Sequence, residues 1–324
     1  MFVIHIITLF IFILVLACVF RKSFVEMLPV GISSLVLLLY VLSFGRHLGW
    51  IDGIAPLLLC GVVLYFFTRK REQRKELLRQ CIEILKDPST IAGLILLLLV
   101  VIGVSGKVVS WWDDYNFWAT DVKSIFYRNG FADKYANAAP EFGDYPPGTQ
   151  MMKWWFLHFS PGQFREGLLF AGYYVFNLSF LLPLLHYIRK KTPLSMTLGA
   201  ILLWIFPTMT EVFWCDGGCA DFSMAVVYGA FLVAVIDRKG TLPWLYYGRQ
   251  ALYLMVLVLC KNTGFVWYAF AVLFSICLLL SAFLLFYFCN AHEFFPYFDH
   301  GVGVQLAVFQ EIVPRFFPLL RAHI

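Results

Sequence analysis

The chain has 324 residues and a formal net charge of +5; 61% of its residues are hydrophobic and 14% charged, with a mean hydropathy of +0.77. Soluble domains carry roughly 25% charged residues, so a soluble α/β fold is excluded. The positive balance is not a nucleic-acid signal, because the basic residues gather at the ends of apolar runs, and an aromatic share of 19% suits a membrane bundle rich in interfacial anchors.

Apolar runs near the roughly 20 residues that cross a bilayer fall at 2–20, 27–44, 54–67, 90–106, 167–187, 194–212, 222–236, 244–260 and 264–289. Backbone exposed to hydrocarbon must satisfy its own hydrogen bonds, so all nine are expected to be helices of an all-α polytopic bundle. No basic segment precedes the first run and Arg21-Lys22 follow it, which favours an uncleaved anchor over a signal peptide. Val15-Leu16-Ala17-Cys18 matches a lipoprotein cleavage box only faintly. Between the third and fourth runs, Arg69–Lys86 alternates charge as a solvated interfacial helix does. The transmembrane core is expected over 1–289, and 290–324 reads as an irregular or interfacial tail. His292-Glu293-Phe294-Phe295-Pro296 in that tail is not a metalloprotease helix, because Pro296 stands where the second histidine is needed.

Basic residues choose the orientation. Arg21, Lys22, the Arg69–Lys86 cluster, Arg189, Lys190, Lys191, Arg238, Lys239 and Arg249 occupy alternate connections, whereas the short loops of the other set hold only Arg46 and Lys261. The positive-inside rule makes the first set cytoplasmic. The N-terminus and the loops 107–166, 211–221 and 261–263 then face outward from the cell membrane.

The long outward loop carries the chemistry. It opens on Trp111-Trp112-Asp113-Asp114-Tyr115, and Trp118, Val122, Ile125 and Phe126 then recur at helical spacing while Thr120, Lys123 and Ser124 point elsewhere. That pattern predicts an amphipathic helix along the membrane surface, with the two aspartates at its N-terminal end. Acidic groups suit a helix N-terminus, but a carboxylate pair at an aromatic interface is costly unless hydrated, paired or used. Asp144-Tyr145-Pro146-Pro147-Gly148 follows, a stiff turn leading into a short aromatic helix with Lys153. Glu211, Asp216 and Asp221 crowd the next loop around Gly217-Gly218, as candidates to bind sugar hydroxyls or a divalent cation, or as a plain polar hairpin. Cys215 and Cys219 share that loop, which leaves a disulfide open. Lys261, in Cys260-Lys261-Asn262-Thr263-Gly264, is either a ligand contact or a snorkelling lysine at a span end.

Trp112-Asp113-Asp114-Tyr115-Asn116-Phe117-Trp118-Ala119, the downstream Lys123 and Asp144-Tyr145-Pro146-Pro147-Gly148 together resemble the GT-C superfamily of polytopic glycosyltransferases. This class includes bacterial protein mannosyltransferases and the aminoarabinose and Rgt-type lipopolysaccharide transferases. The resemblance is strongest over 111–155 and implies sugar transfer from a polyprenyl-phosphate donor to a cell-surface glycan, lipid or protein, with inversion. It implies that Asp113 or Asp114, with Asp114 slightly favoured, is the general base that deprotonates the acceptor hydroxyl. Lys123, Lys153 and Lys261 are then candidates to hold the donor phosphate, and Asp144, Tyr145, Asp216 and Asp221 to contact substrate. Metal use varies across the superfamily, so no cofactor is assigned beyond an open place for a divalent cation. The family usually has further spans after this region, which implies a C-terminally shortened chain or a smaller core. A transporter or flippase of lipid-linked saccharides is the competing reading, although charges within the apolar runs are scarce; a glycan polymerase or ligase is closer in chemistry.

Overall fold

The computed structural model describes residues 2–131, 145–210, 217–238 and 240–294, and every regular element among them is helical. The chain divides into two units, Met1–Ala271 and Val272–Ile324. In the first, α1 (Phe2–Phe20) packs on both α2 (Phe24–Phe44) and α3 (Ile51–Thr68), the latter preceded by a 3₁₀ turn at Leu48–Trp50. A capping box starts α2: Ser23 Oγ accepts from the Glu26 backbone while Glu26 accepts from the Ser23 N–H at 2.9 Å. α4 (Arg71–Lys86) buries none of its residues, as the alternating charge predicts, and it meets α5 (Pro88–Gly103) at a 64° bend.

Downstream, α8 (Glu166–Leu181) runs into a 3₁₀ turn at Leu182–Tyr187 and packs on α5 and on α10 (Ala220–Ile236). α9 (Pro193–Thr210) packs on α5, and α11 (Pro243–Cys260) lies along α10. α12 (Gly264–Phe294) continues helical past the predicted edge at residue 289, so residues 290–294 are not irregular. The rest of the tail lies outside the described residues.

Among the described residues each predicted apolar run meets a helix, but five helices are long and apolar enough to cross a membrane, or six if the bent α4–α5 pair is one span. α10 is a shorter apolar helix, and α11 carries Arg249 inside its length. The surface suits hydrocarbon. α3 exposes Leu57, Leu58, Leu64 and Phe67 along one continuous helix, a greasy face that a soluble monomer would bury.

Between α5 and α8 lie two shorter helices, α6 (Ala119–Arg128) and α7 (Gly148–Leu157). α6 is amphipathic as expected: Trp118, Ala119, Val122 and Ile125 are buried and Lys123 is exposed. α7 departs from a surface helix, because all ten of its residues are buried against α8, α2 and α6. Glu166 closes the connection by accepting the Val109 N–H at 2.6 Å.

Candidate active site

The acidic pair sits on a widened turn. Residues Asp114–Trp118 form a π turn, in which the Ala119 N–H reaches back to the Asp114 carbonyl, five residues away. Such a turn inserts an extra residue into the helical repeat and is common at functional sites. Here it buries Asp114, Phe117 and Trp118 together and leaves Asp113 half-buried at the surface. Phe117 and Trp118 pack with Cys219 and Ala220, and Tyr145 closes over them, 5.0 Å edge-on to Phe117 and 5.7 Å stacked on Trp118. The tyrosine of the Tyr-Pro-Pro-Gly segment is therefore a wall of the site. Gly148 begins α7 where a Cβ would stand 2.5 Å from the Leu259 carbonyl oxygen, so only glycine permits this approach to α11.

Beneath this wall, Asp114 is 1% exposed and both of its carboxylate oxygens accept the Gly218 N–H at 3.1 Å. Lys153, wholly buried on α7, donates to the Gly218 carbonyl at 2.7 Å. The acid and the base thus grip one peptide turn from opposite sides. A Cβ at Gly218 would lie 3.0 Å from Lys153 Nζ and 3.2 Å from Asp114 Oδ1, which explains glycine there. Burial raises the Asp114 pKa, and Asp113 adds to the effect against the pull of Lys153 and the Gly218 N–H. Burial likewise lowers Lys153 to about 8, against the opposing influence of Asp114.

Above the turn, Lys261 bonds both oxygens of Asp221, at 2.8 and 3.0 Å, and stands 5.7 Å from the Tyr145 ring centre. Burial alone would lower the Lys261 pKa, but Asp221 holds it above the ordinary value. The Cys219 thiol donates to Asp221 at 2.7 Å. Asp113, Asn116, Tyr145, Asp221 and Lys261 line one cavity of about 80 Å³. That volume admits a reacting group and not a whole ligand, whose pockets run to roughly 300 Å³ or more.

The structure therefore brings Asp113, Tyr145, Asp221 and Lys261 together, and holds Asp114 and Lys153 on Gly218, next to the cavity-lining Cys219. Lys123 is elsewhere, exposed on α6 and 5.5 Å from the Phe164 ring. Asp144, Glu211, Cys215 and Asp216 lie outside the described residues. Sequence reasoning missed Asp121, whose carboxyl burial pushes up to about 6 against the pull of Lys153. Its signal was present: it falls seven residues after Asp114, on the apolar stripe that buries Trp118, Val122 and Ile125. A carboxylate on that face has to be used or neutralised.

No family model, curated protein or solved structure matches the chain.

Proposed function

We propose that the chain is a membrane glycosyltransferase that moves sugar from a polyprenyl-phosphate donor to a surface glycan, lipid or protein on the non-cytoplasmic face. The observation that carries this reading is the one cavity that Asp113 and Tyr145 line together with the Lys261–Asp221 pair. Asp113 is the base, because it reaches the cavity while Asp114 spends both oxygens on Gly218. The Asp113 carboxylate takes the proton from the acceptor hydroxyl as the oxygen attacks the anomeric carbon. The bond from that carbon to the phosphate oxygen breaks, and the polyprenyl phosphate leaves with its electron pair and inversion of the sugar. Little proton donation is needed at the leaving group, so one carboxylate and one cation carry most of the acid–base work. Lys261 is that cation. Its salt bridge to Asp221 keeps it charged and aimed until a phosphate offers a second anionic partner. Asp114, Lys153 and Gly218 position the loop and do not touch the reacting atoms.

The assay is sugar transfer in membranes supplied with a polyprenyl-phosphate sugar. Asp113→Asn lowers transfer at least about 100-fold, the usual worth of a positioned base. Asp113→Asn and Lys261→Gln both transferring at the wild-type rate would refute the assignment.

A second reading rests on a different observation. Arg249 and Glu26, each 5% exposed, border a cavity of about 290 Å³ between α2, α8, α10 and α11, and buried charge in a span is a mark of a substrate pathway. Vesicles in which the wild type moves a lipid-linked saccharide across the bilayer without transferring sugar would establish a flippase instead.

A further inference from the structure

His5 on α1, Asp52 on α3 and His158 just after α7 stand apart from the Asp113 cavity. They bring one nitrogen of each ring and one carboxylate oxygen within 4.8 Å of one another. His5 is 2% exposed, and its Nε2 lies 2.7 Å from Asp52 Oδ1. His158 Nε2 lies 3.7 Å from the same oxygen, and the two imidazoles meet edge to face at 4.9 Å.

The tautomer of His158 is fixed by its neighbour. Its Nδ1 lies 2.5 Å from the Trp155 carbonyl oxygen, which only accepts, so Nδ1 carries the proton. In the neutral ring Nε2 then presents a lone pair, and it presents it to a carboxylate. That nitrogen is buried and has no hydrogen-bond partner among the described residues. Asp52 Oδ1 takes its hydrogen bond from His5, which leaves no donor between it and the His158 lone pair, an arrangement that a bound cation resolves. Donation of the far N–H to a backbone carbonyl is also how metal-binding imidazoles are oriented. His5 Nε2 lies 2.7 Å from a carboxylate oxygen that only accepts, so it carries the ring proton here; metal binding moves that proton to Nδ1, which is buried with no hydrogen-bond partner among the described residues.

We propose that His5, Asp52 and His158 form a zinc site. Two imidazoles and one carboxylate are a zinc donor set, with a water completing the tetrahedron. Bond lengths near 2.0–2.1 Å place tetrahedral ligands about 3.4 Å apart. The 3.7 Å from His158 to Asp52 is close to that spacing, and the 2.7 Å from His5 opens by about 0.7 Å on binding. The Asp52 side chain is 37% exposed, which leaves an entry path and room for the water. The ion joins α1, α3 and the C-terminal end of α7, the helix whose Lys153 supports the Gly218 turn. The site does not depend on the glycosyltransferase reading.

The test is metal content. The purified full chain in detergent is incubated with micromolar zinc, dialysed against metal-free buffer and measured by plasma mass spectrometry. About one zinc per chain is expected in the wild type, with at least a tenfold loss in His158→Gln and His5→Gln, as removal of a metal contact implies. A wild type that retains no zinc overturns the site, and so does full retention by both variants. Cobalt loading of the wild type needs no variant: intense visible bands of a four-coordinate ion are expected, and a weak six-coordinate spectrum overturns it.

Discussion

The two ends of α10 hold polar clusters of opposite character. The helix has 17 residues, so the clusters are about 25 Å apart. At the C-terminal end the charges removed from water pair with one another. Asp237 takes Lys22 at 3.1 Å and Arg249 at 3.0 Å, Glu26 takes Lys22 at 3.2 Å, and His186 stands 3.4 Å from Glu26. At the N-terminal end Lys261 pairs with Asp221, but Asp114 and Lys153, more deeply buried, bond to the backbone of Gly218 and not to each other. Paired charge fixes helices, whereas burial without direct pairing moves pKa values toward neutrality, where proton transfer is useful. The first cluster reads as a clamp and the second as the footing of a reactive loop.

Activity should follow the N-terminal cluster and stability the C-terminal one. Asp113→Asn should abolish transfer by about two orders of magnitude or more while the melting temperature in detergent stays within a few degrees. Asp237→Asn should do the reverse. It strips Lys22 and Arg249 of a shared partner and should destabilise the chain by about 3–5 kcal/mol, the cost of breaking a buried pair, with transfer per folded molecule kept. Chemical unfolding followed by tryptophan fluorescence measures it. A stable Asp237→Asn would show that the pairs do not clamp the bundle.

Gly218→Ala is a gentler probe of the reactive end. Its Cβ would push on Lys153 Nζ and Asp114 Oδ1, so a loss of about 1–3 kcal/mol is expected together with reduced transfer. Lost stability with an unchanged transfer rate per folded molecule would mean that the turn does not position the base.

The pH dependence of stability, spread over several pH units, is the most gradual effect. Lys153 has a folded pKa near 8 against 10.5 unfolded, so the unfolded state binds more protons between those values and stability rises with pH across that window. Asp121 has a folded pKa near 6 against 3.8, so the folded state binds more protons between them and stability falls as pH rises from about 4 to 6. Melting curves across pH should show both slopes, with Asp121→Asn removing the lower one and Lys153→Met the upper. Slopes that survive in these variants would place the titrations elsewhere.

Much of the scaffold was legible in the residues. The apolar runs became helices because backbone in a greasy chain has little choice but to bond within its own segment. The stripe of Trp118, Val122 and Ile125 became the buried face of α6 for the reason that its spacing gave. The lengths of the spans were less legible. α10 and α11 are apolar yet short or charged, and composition alone does not say where such a helix meets the membrane edge.

For the site, the sequence by itself determined the cast: an acidic pair after an apolar span, a Tyr-Pro-Pro-Gly turn, Gly217-Gly218 and Lys261. Tertiary structure alone separated their surroundings. Neighbouring aspartates are chemically alike in a sequence, and only the π turn sends Asp114 under the Gly218 peptide and leaves Asp113 at the cavity. Likewise Lys123, Lys153 and Lys261 are all candidates in the sequence, with Lys261 foremost, and packing exposes the first, buries the second and pairs the third with Asp221. His5, Asp52 and His158 gave no local signal at all, because residues so far apart in the chain form a site only when the helices carrying them meet. Local periodicity sets the elements; long-range contacts set solvation, and solvation sets the chemistry of each charge.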